Sequence, residues 1–476
     1  MQTFTSQVLL TYYQTQEKAT ERRLVGRVFT GDAQIPSYTS AAPLSGYAVS
    51  GTVSLSGPRA MARILLVDTE QREWLVYEGY PALVGGNEIS VTDWCEETCV
   101  LPDVIPSHLL VELHAASLTL DEVSSSAPIE SLTQEAFSFH WQQTHTKQNE
   151  YKIRQINTHM HQFSHQWVAD HTTISDLPYR EKKKMFTSKV PNLQGLEFYT
   201  RGIFEIPDTY GLAPPPRSSY PATFDWRNAH GASWTTPAKY QQGCGSCWAF
   251  AAVSVTETLI NLYYNQHLNI NISEQDVICR HPGSCLNGNY LHYGFDALRD
   301  YGLVTENCFG NVGTENCQHK CVSPDQYVWK ISGYRGVEAD DESIKRAIIE
   351  KGPISFGVSS LWHFMTAVGY ETLSDGKTAW HIKNSWSGNW GEDGYVRMIV
   401  PTYDRYGLIY AERPYFAPEP ERYEIVCTDN DFDMYCNWGI SQEKPETCPL
   451  TCLPEKDCDD SDPTKGPADE NERCVM

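Results

Sequence analysis

The stretch QQGCGSCWAF (241–250) puts a glycine-rich turn and two cysteines directly in front of an apolar, alanine-bearing run. Carried on to residue 264, SCWAFAAVSVTETLINLYY has apolar residues at helical spacing behind a Gly-Ser entry. This predicts a helix that starts at or near Cys247. At a helix N-terminus the dipole and the free N–H groups favour the thiolate, the reactive form of a cysteine. Cys247 is therefore either an activated nucleophile or half of one more disulfide.

Counting bears on the choice. Fifteen cysteines in 476 residues are many for a reduced cytosol, and they fall in three clusters: 95 and 99, seven from 244 to 321, and six from 427 to 474. If every pair is local, only the middle cluster must leave one thiol over. A nucleophilic thiol also needs a base, and WHFMTAVGYETLSDGKTAWHIKNSWSGNWGEDGY (362–395) offers His363, His381 and Asn384 on two extended runs. Strand alternation puts Trp380, Ile382 and Asn384 on one face and His381 and Lys383 on the other, so an inward Asn384 turns His381 away.

These residues resemble the papain-like cysteine peptidases, the cathepsin-like peptidases of family C1. The motifs are QQGCGSCWAF, TAVGY (366–370), KNSWSGNWGEDGY (383–395) and YPATFDWRNAHG (220–231) at the usual start of the mature enzyme, and the resemblance spans roughly 218 to 400. It implies Cys247 as nucleophile, His363 as its base, Asn384 orienting the imidazole and Gln241 donating to the oxyanion, with Gln242 the alternative if the turn is shifted by one residue. Trp386 would shield the His–Asn bond, and Gly288 and Asn289 would lie along the substrate. Three disulfides are likewise implied: Cys244 with Cys285, Cys279 with Cys317, and Cys308 with Cys321, in a pattern similar to cathepsin C. No cofactor and no metal are implied.

The resemblance sets the expected fold class, α+β. A two-lobed peptidase, one lobe helical and one β-barrel-like, is preceded by an antiparallel β domain and a helical prosegment and followed by a small disulfide-rich tail. Residues 1–125 carry short alternating runs such as AVSGTVSLSG and ARILLVD, which read as strands of a sandwich or barrel. Residues 126–217 form a Ser-rich linker and a polar helical stretch, and the triple proline of YGLAPPPRSSYP ends them. The peptidase follows at 218–416 and an acidic cysteine-rich tail at 417–476. In the helical stretch, Glu150, Arg154, Ile174 and Asp176 keep parts of the family's inhibitory prosegment signatures. The order of β-rich extension, prosegment and peptidase is similar to that of certain insect and slime-mould cathepsin-like proteinases.

The pattern also breaks. Between KGPISFGVSS (351–360) and LWHFMTAVGY (361–370) the family's further hairpin is absent, together with its cysteine, whose usual partner position is Tyr406. The usual Cys-x-Gly-Gly wall reads CLNGNY (285–290), with Asn289 in place of a glycine.

The formal net charge of -23 and the absence of any run of about 18 apolar residues argue against nucleic acid as a partner and against a membrane span. The opening MQTFTSQVLLTYYQTQ does not read as a signal peptide, whereas the cysteines point to a secreted or lysosomal protein. His159, His161 and His165 lack a completing ligand set, and DCDDSD (457–462) is at most a weak calcium binder without an ordered loop pattern. Protonation of six histidines between His140 and His171 is expected to loosen a packed prosegment as pH falls from 7 to 5. The expected function is a cysteine endopeptidase zymogen acting on peptides and proteins and inhibited by its own prosegment. The competing readings are an impaired binding protein on the same fold and a cathepsin C-like dipeptidyl exopeptidase.

Overall fold

The computed structural model describes residues 3–5, 20–39, 41–128, 134–186, 189–211, 220–281, 284–321, 327–441 and 443–467. The triple proline (214–216) and Cys474 lie outside the described residues. The chain divides into two compact units: residues 1–182 with 192–200 and 207–211, and residues 183–191 with 201–206 and 212–476.

The first unit is built on two sheets. One runs in the order Thr3–Thr5, Glu88–Trp94, Gly46–Leu55, Ala116–Ser126, Thr20–Phe29, and the other Ala33–Pro36, Pro106–His114, Met61–Asp68, Glu73–Gly79. Along Gly46–Leu55 every second residue from Tyr47 is buried, the period of a strand with one face on a core. The helix Gln134–His159 packs with an unusual face. Its buried residues are Thr144, Gln148, Asn149, Lys152 and Ile156, mostly at four-residue spacing and mostly polar. Lys152 pairs with Glu96, and Gln148 donates to the Cys95 carbonyl at 2.9 Å, next to the Cys95–Cys99 disulfide. The helix is thus held by buried polar bonds, which cost dearly if left unmade.

The six histidines of this region are unlike one another. His145 is stacked on Trp141 at 4.6 Å, and burial pushes its pKa down to about 3. His171 is paired with Asp176 at 2.8 Å, and His161 donates from Nδ1 to the Thr158 carbonyl at 2.8 Å. Desolvation makes His145 favour loosening in acid, while His171 is fixed by its contact with Asp176, so the six side chains do not share one environment.

The second unit centres on the helix Cys247–Tyr264, which is buried on nearly every side. Beside it lies a sheet in the order Tyr395–Ile399, Thr378–Lys383, His363–Thr372, Ile354–Val358, Arg405–Ala417, Val328–Gly336. Ile203–Glu205 add in parallel to Arg397–Ile399, and Thr223–Asp225 pair with Gly369–Glu371. The strand Thr378–Lys383 is buried at all six positions, as a central strand covered on both faces should be. The tail docks at the far end of the helix. There Asn265, in the left-handed conformation, closes the helix and donates from Nδ2 to the carbonyls of Val426 and Asn437, each at 3.0 Å. Gly439 passes so close to the Leu262 carbonyl that no Cβ would fit. Cys427–Cys448 and Cys436–Cys452 staple the tail, and Cys458 is also disulfide-bonded. Among the described residues no helix is long and apolar enough to cross a membrane.

Candidate active site

The helix begins at Cys247, with Ser246 as its N-cap residue. The turn before it is fixed by the Cys244–Cys285 disulfide and by Gly245 N–H donating to the Cys285 carbonyl at 3.0 Å. Cys279–Cys317 and Cys308–Cys321 are formed as well, and Cys247 is the free cysteine among the described residues. The helix N-terminus favours a thiolate, but burial outweighs it and pushes the thiol up to about 11, against the pull of the N–H groups of Phe364, Trp248 and Cys247 itself.

His363 opens the strand that follows the Ile354–Val358 hairpin, directly opposite Val358. Its Nε2 donates to Asn384 Oδ1 at 2.7 Å, and its buried Nδ1 has no hydrogen-bond partner. Burial pushes this imidazole down to about 4, against the support of Asn384. The indole of Trp386 stacks on the ring at 5.1 Å. His381 lies on the opposite face of its strand, where Nδ1 donates to Asp225 Oδ2 at 2.6 Å. Burial raises the Asp225 pKa, but bonds from His381 and Arg227 prevail and hold it at about 2.

Gln241 is fully buried and tied at both ends of its side-chain amide. Oε1 accepts from Ser385 Oγ at 2.6 Å, while Nε2 donates to the carbonyls of Cys244 at 2.9 Å and Met185 at 3.1 Å. Gln242 instead takes a left-handed backbone, with its side chain against Gly313. Gly288 is also left-handed (φ 64°), and its backbone N lies near Gly245, while Asn289 Oδ1 accepts from Tyr290 N–H at 2.9 Å.

Met185 and Phe186 cover the site. The Phe186 ring meets those of His363 and Trp386 edge-on at 6.1 and 6.2 Å. Its carbonyl oxygen would lie 2.5 Å from any Cβ at position 245, so only glycine admits this segment.

Two further features bear on the site. Lys239 bonds Glu257 and Glu274, each at 2.8 Å, which anchors the chain two residues before Gln241; a lysine and two glutamates so far apart in sequence give no local signal. Tyr406, whose phenol feels the charge of Cys247, meets the Phe364 ring at a tilt with centroids 4.7 Å apart and packs over Gly357. Its position, where the resemblance leads one to expect a cysteine, was the available clue.

The family model for papain family cysteine proteases matches residues 220–362 and 357–411. Residues 220–411 belong to the papain family. The two matched pieces of this papain-family domain meet at 357–362, where the chain turns from Val358 to His363 through four residues. The senescence-specific cysteine protease SAG39 of Oryza sativa subsp. indica is 32% identical over 213 residues, 40% of this chain and 60% of the rice protein. The cathepsin L-like peptidase of Aedes aegypti is 27% identical over 277 residues, 48% of this chain and 78% of the mosquito protein. The structure of the digestive procathepsin L2 proteinase from the larval midgut of Tenebrio molitor aligns with a TM-score of 0.45 at 21% identity, covering 60% of this chain and 95% of that one. The chain thus spans 60% of the length of the rice relative it matches.

Proposed function

We propose that the protein is a cysteine endopeptidase zymogen whose site is closed by its own residues Met185 and Phe186. Cys247 would pass its proton to His363 Nδ1 and attack the peptide carbonyl, while Asn384 holds the imidazole through Nε2. The oxyanion would be met by Gln241 Nε2 and the Cys247 N–H, and His363 would then protonate the leaving amine before water hydrolyses the acyl-enzyme.

The observation that carries this reading is the bond from Gln241 Nε2 to the Met185 carbonyl at 3.1 Å. A peptide carbonyl from the same chain takes the donor that a substrate oxyanion would need. With the thiol at about 11 and the imidazole at about 4, both groups are neutral between those values, so the covered site is idle as well as blocked. Six disulfides among the described residues, joined by that of Cys458, support a secreted or lysosomal setting.

The short Val358–His363 connection favours one competing reading, a papain-like fold kept for binding alone. Fluorogenic peptide hydrolysis before and after limited proteolysis near 183–191 separates the two. Activity that rises on clipping and is lost in Cys247→Ala supports the zymogen, and none at any stage supports the binding protein.

A further inference from the structure

The tail brings five aspartates together from two separate segments. Asp429, Asp431 and Asp433 alternate along TDNDFDMY (428–435), and Asp457 and Asp460 come from 24 or more residues later. Of the residues between the aspartates, Asn430 donates from Nδ2 to Asp460 Oδ2 at 2.7 Å, whereas Phe432 is exposed with a left-handed backbone at φ 67°. The second segment is held by a bridge of Cys436 with Lys456 and by Asp457 N–H donating to the Cys436 carbonyl at 3.1 Å.

In two triads, Asp429/Asp431/Asp460 and Asp431/Asp433/Asp457, one carboxylate oxygen from each residue lies within 4.8 Å of the others. That is about the diameter of a calcium coordination sphere with oxygens at about 2.4 Å. Asp431 belongs to both.

Three of the carboxylates are held in the same way, by the N–H two residues on. Asp431 Oδ1 accepts from Asp433 N–H at 3.3 Å, Asp433 Oδ1 from Tyr435 N–H at 2.8 Å, and Asp457 Oδ1 from Asp459 N–H at 2.9 Å. Asp460 is held by Asn430 N–H at 2.7 Å and by the Thr428 hydroxyl at 2.5 Å. The remaining oxygens Asp429 Oδ1, Asp431 Oδ2 and Asp457 Oδ2 are buried without a hydrogen-bond partner. Asp457 is 0% exposed, so its unpaired Oδ2 is an independent sign that a cation belongs there: a buried carboxylate oxygen left without a partner is costly. Among the described residues no lysine or arginine pairs with any of the five, while nearby Lys465 binds Asp459 and Asp462 instead.

We propose that Asp429, Asp431, Asp433, Asp457 and Asp460 form a calcium site that knits the two halves of the tail together. An all-oxygen, carboxylate-rich set of irregular geometry suits calcium better than zinc, which prefers nitrogen and sulfur, or magnesium, which demands a near-ideal octahedron.

The test uses the full chain carrying Cys247→Ala, which keeps proteolysis out. Calcium is titrated by calorimetry and by the unfolding temperature, with magnesium in parallel and with Asp431→Asn and Asp457→Asn variants whose disulfide maps are checked against the parent. The expected result is calcium binding with Kd below about 1 mM and preference over magnesium, weakened about tenfold or more in either correctly bonded variant. No calcium heat and no rise in unfolding temperature at about 10 mM would overturn the proposal, as would unchanged affinity in both variants. Misbonding of one variant leaves the other to decide, and misbonding of both that calcium during refolding fails to correct also counts against the site.

Discussion

Replacing Phe186 by alanine is the sharpest perturbation of the closed site. The phenyl ring is buried edge-on against His363 and Trp386, and its removal deletes a large apolar group from the cover while leaving the Met185 carbonyl and Gln241 in place. Truncating a buried phenylalanine costs about 3–5 kcal/mol, and local collapse brings the expected loss of docking nearer the lower figure. At about 1.4 kcal/mol per decade, 3 kcal/mol raises the uncovered population on the order of 100-fold. Covered Cys247, held at about 11, is about one part in ten thousand thiolate at pH 7, so its alkylation should run almost wholly through the uncovered state. The assay is the rate of iodoacetamide capture of Cys247 in the intact chain at pH 7, read by peptide mass spectrometry. We expect Phe186→Ala to speed it at least about tenfold while circular dichroism is unchanged. An unchanged or slower rate in a folded variant would refute the idea that this ring keeps the thiol silent.

Three other outcomes follow. His363→Ala should abolish hydrolysis by the clipped enzyme while His381→Ala retains most of it, because His381 is committed to Asp225; equal losses would reverse the assignment. Covered His363 sits at about 4, below the ordinary histidine value, so the closed form binds fewer protons: its stability is full above about pH 6.5 and is lost as pH falls toward 4. From pH 6.5 to 5 the loss is about 2 kcal/mol, and cleavage of the Cys247→Ala chain by a fixed outside protease should quicken, a trend absent if His363 is open to water in the closed form. Gly357→Ala should destabilise the chain by about 1–3 kcal/mol in denaturant unfolding, since a Cβ there lies 2.7 Å from both the Tyr406 ring and its carbonyl; a neutral result would mean that this wall yields.

The positions legible in the sequence were those set by local rules. The helix behind Cys247 followed from apolar spacing, and the separation of His381 from Asn384 followed from strand alternation alone. The polar face of Gln134–His159 was harder to place, because its burial rests on Lys152 meeting Glu96 of a distant segment and not on an apolar stripe. The tail misled in a similar way. DCDDSD lacks a loop pattern by itself, and only the disulfides and the Cys436–Lys456 bridge bring Asp457 and Asp460 to Asp431. The cover was invisible for another reason: nothing local distinguishes Met185 and Phe186 from the end of a basic helix, and their role depends on Gly245 admitting them.

The central claim is that Cys247 becomes a nucleophile once the cover is removed. It is tested most directly by treating the clipped chain with an epoxysuccinyl peptide at pH 5.5 and mapping the adduct. One equivalent is expected on Cys247, with none in the intact chain and none in His363→Ala. Labelling of the intact chain at the same rate, or a clipped and folded chain that takes up no label, would contradict it.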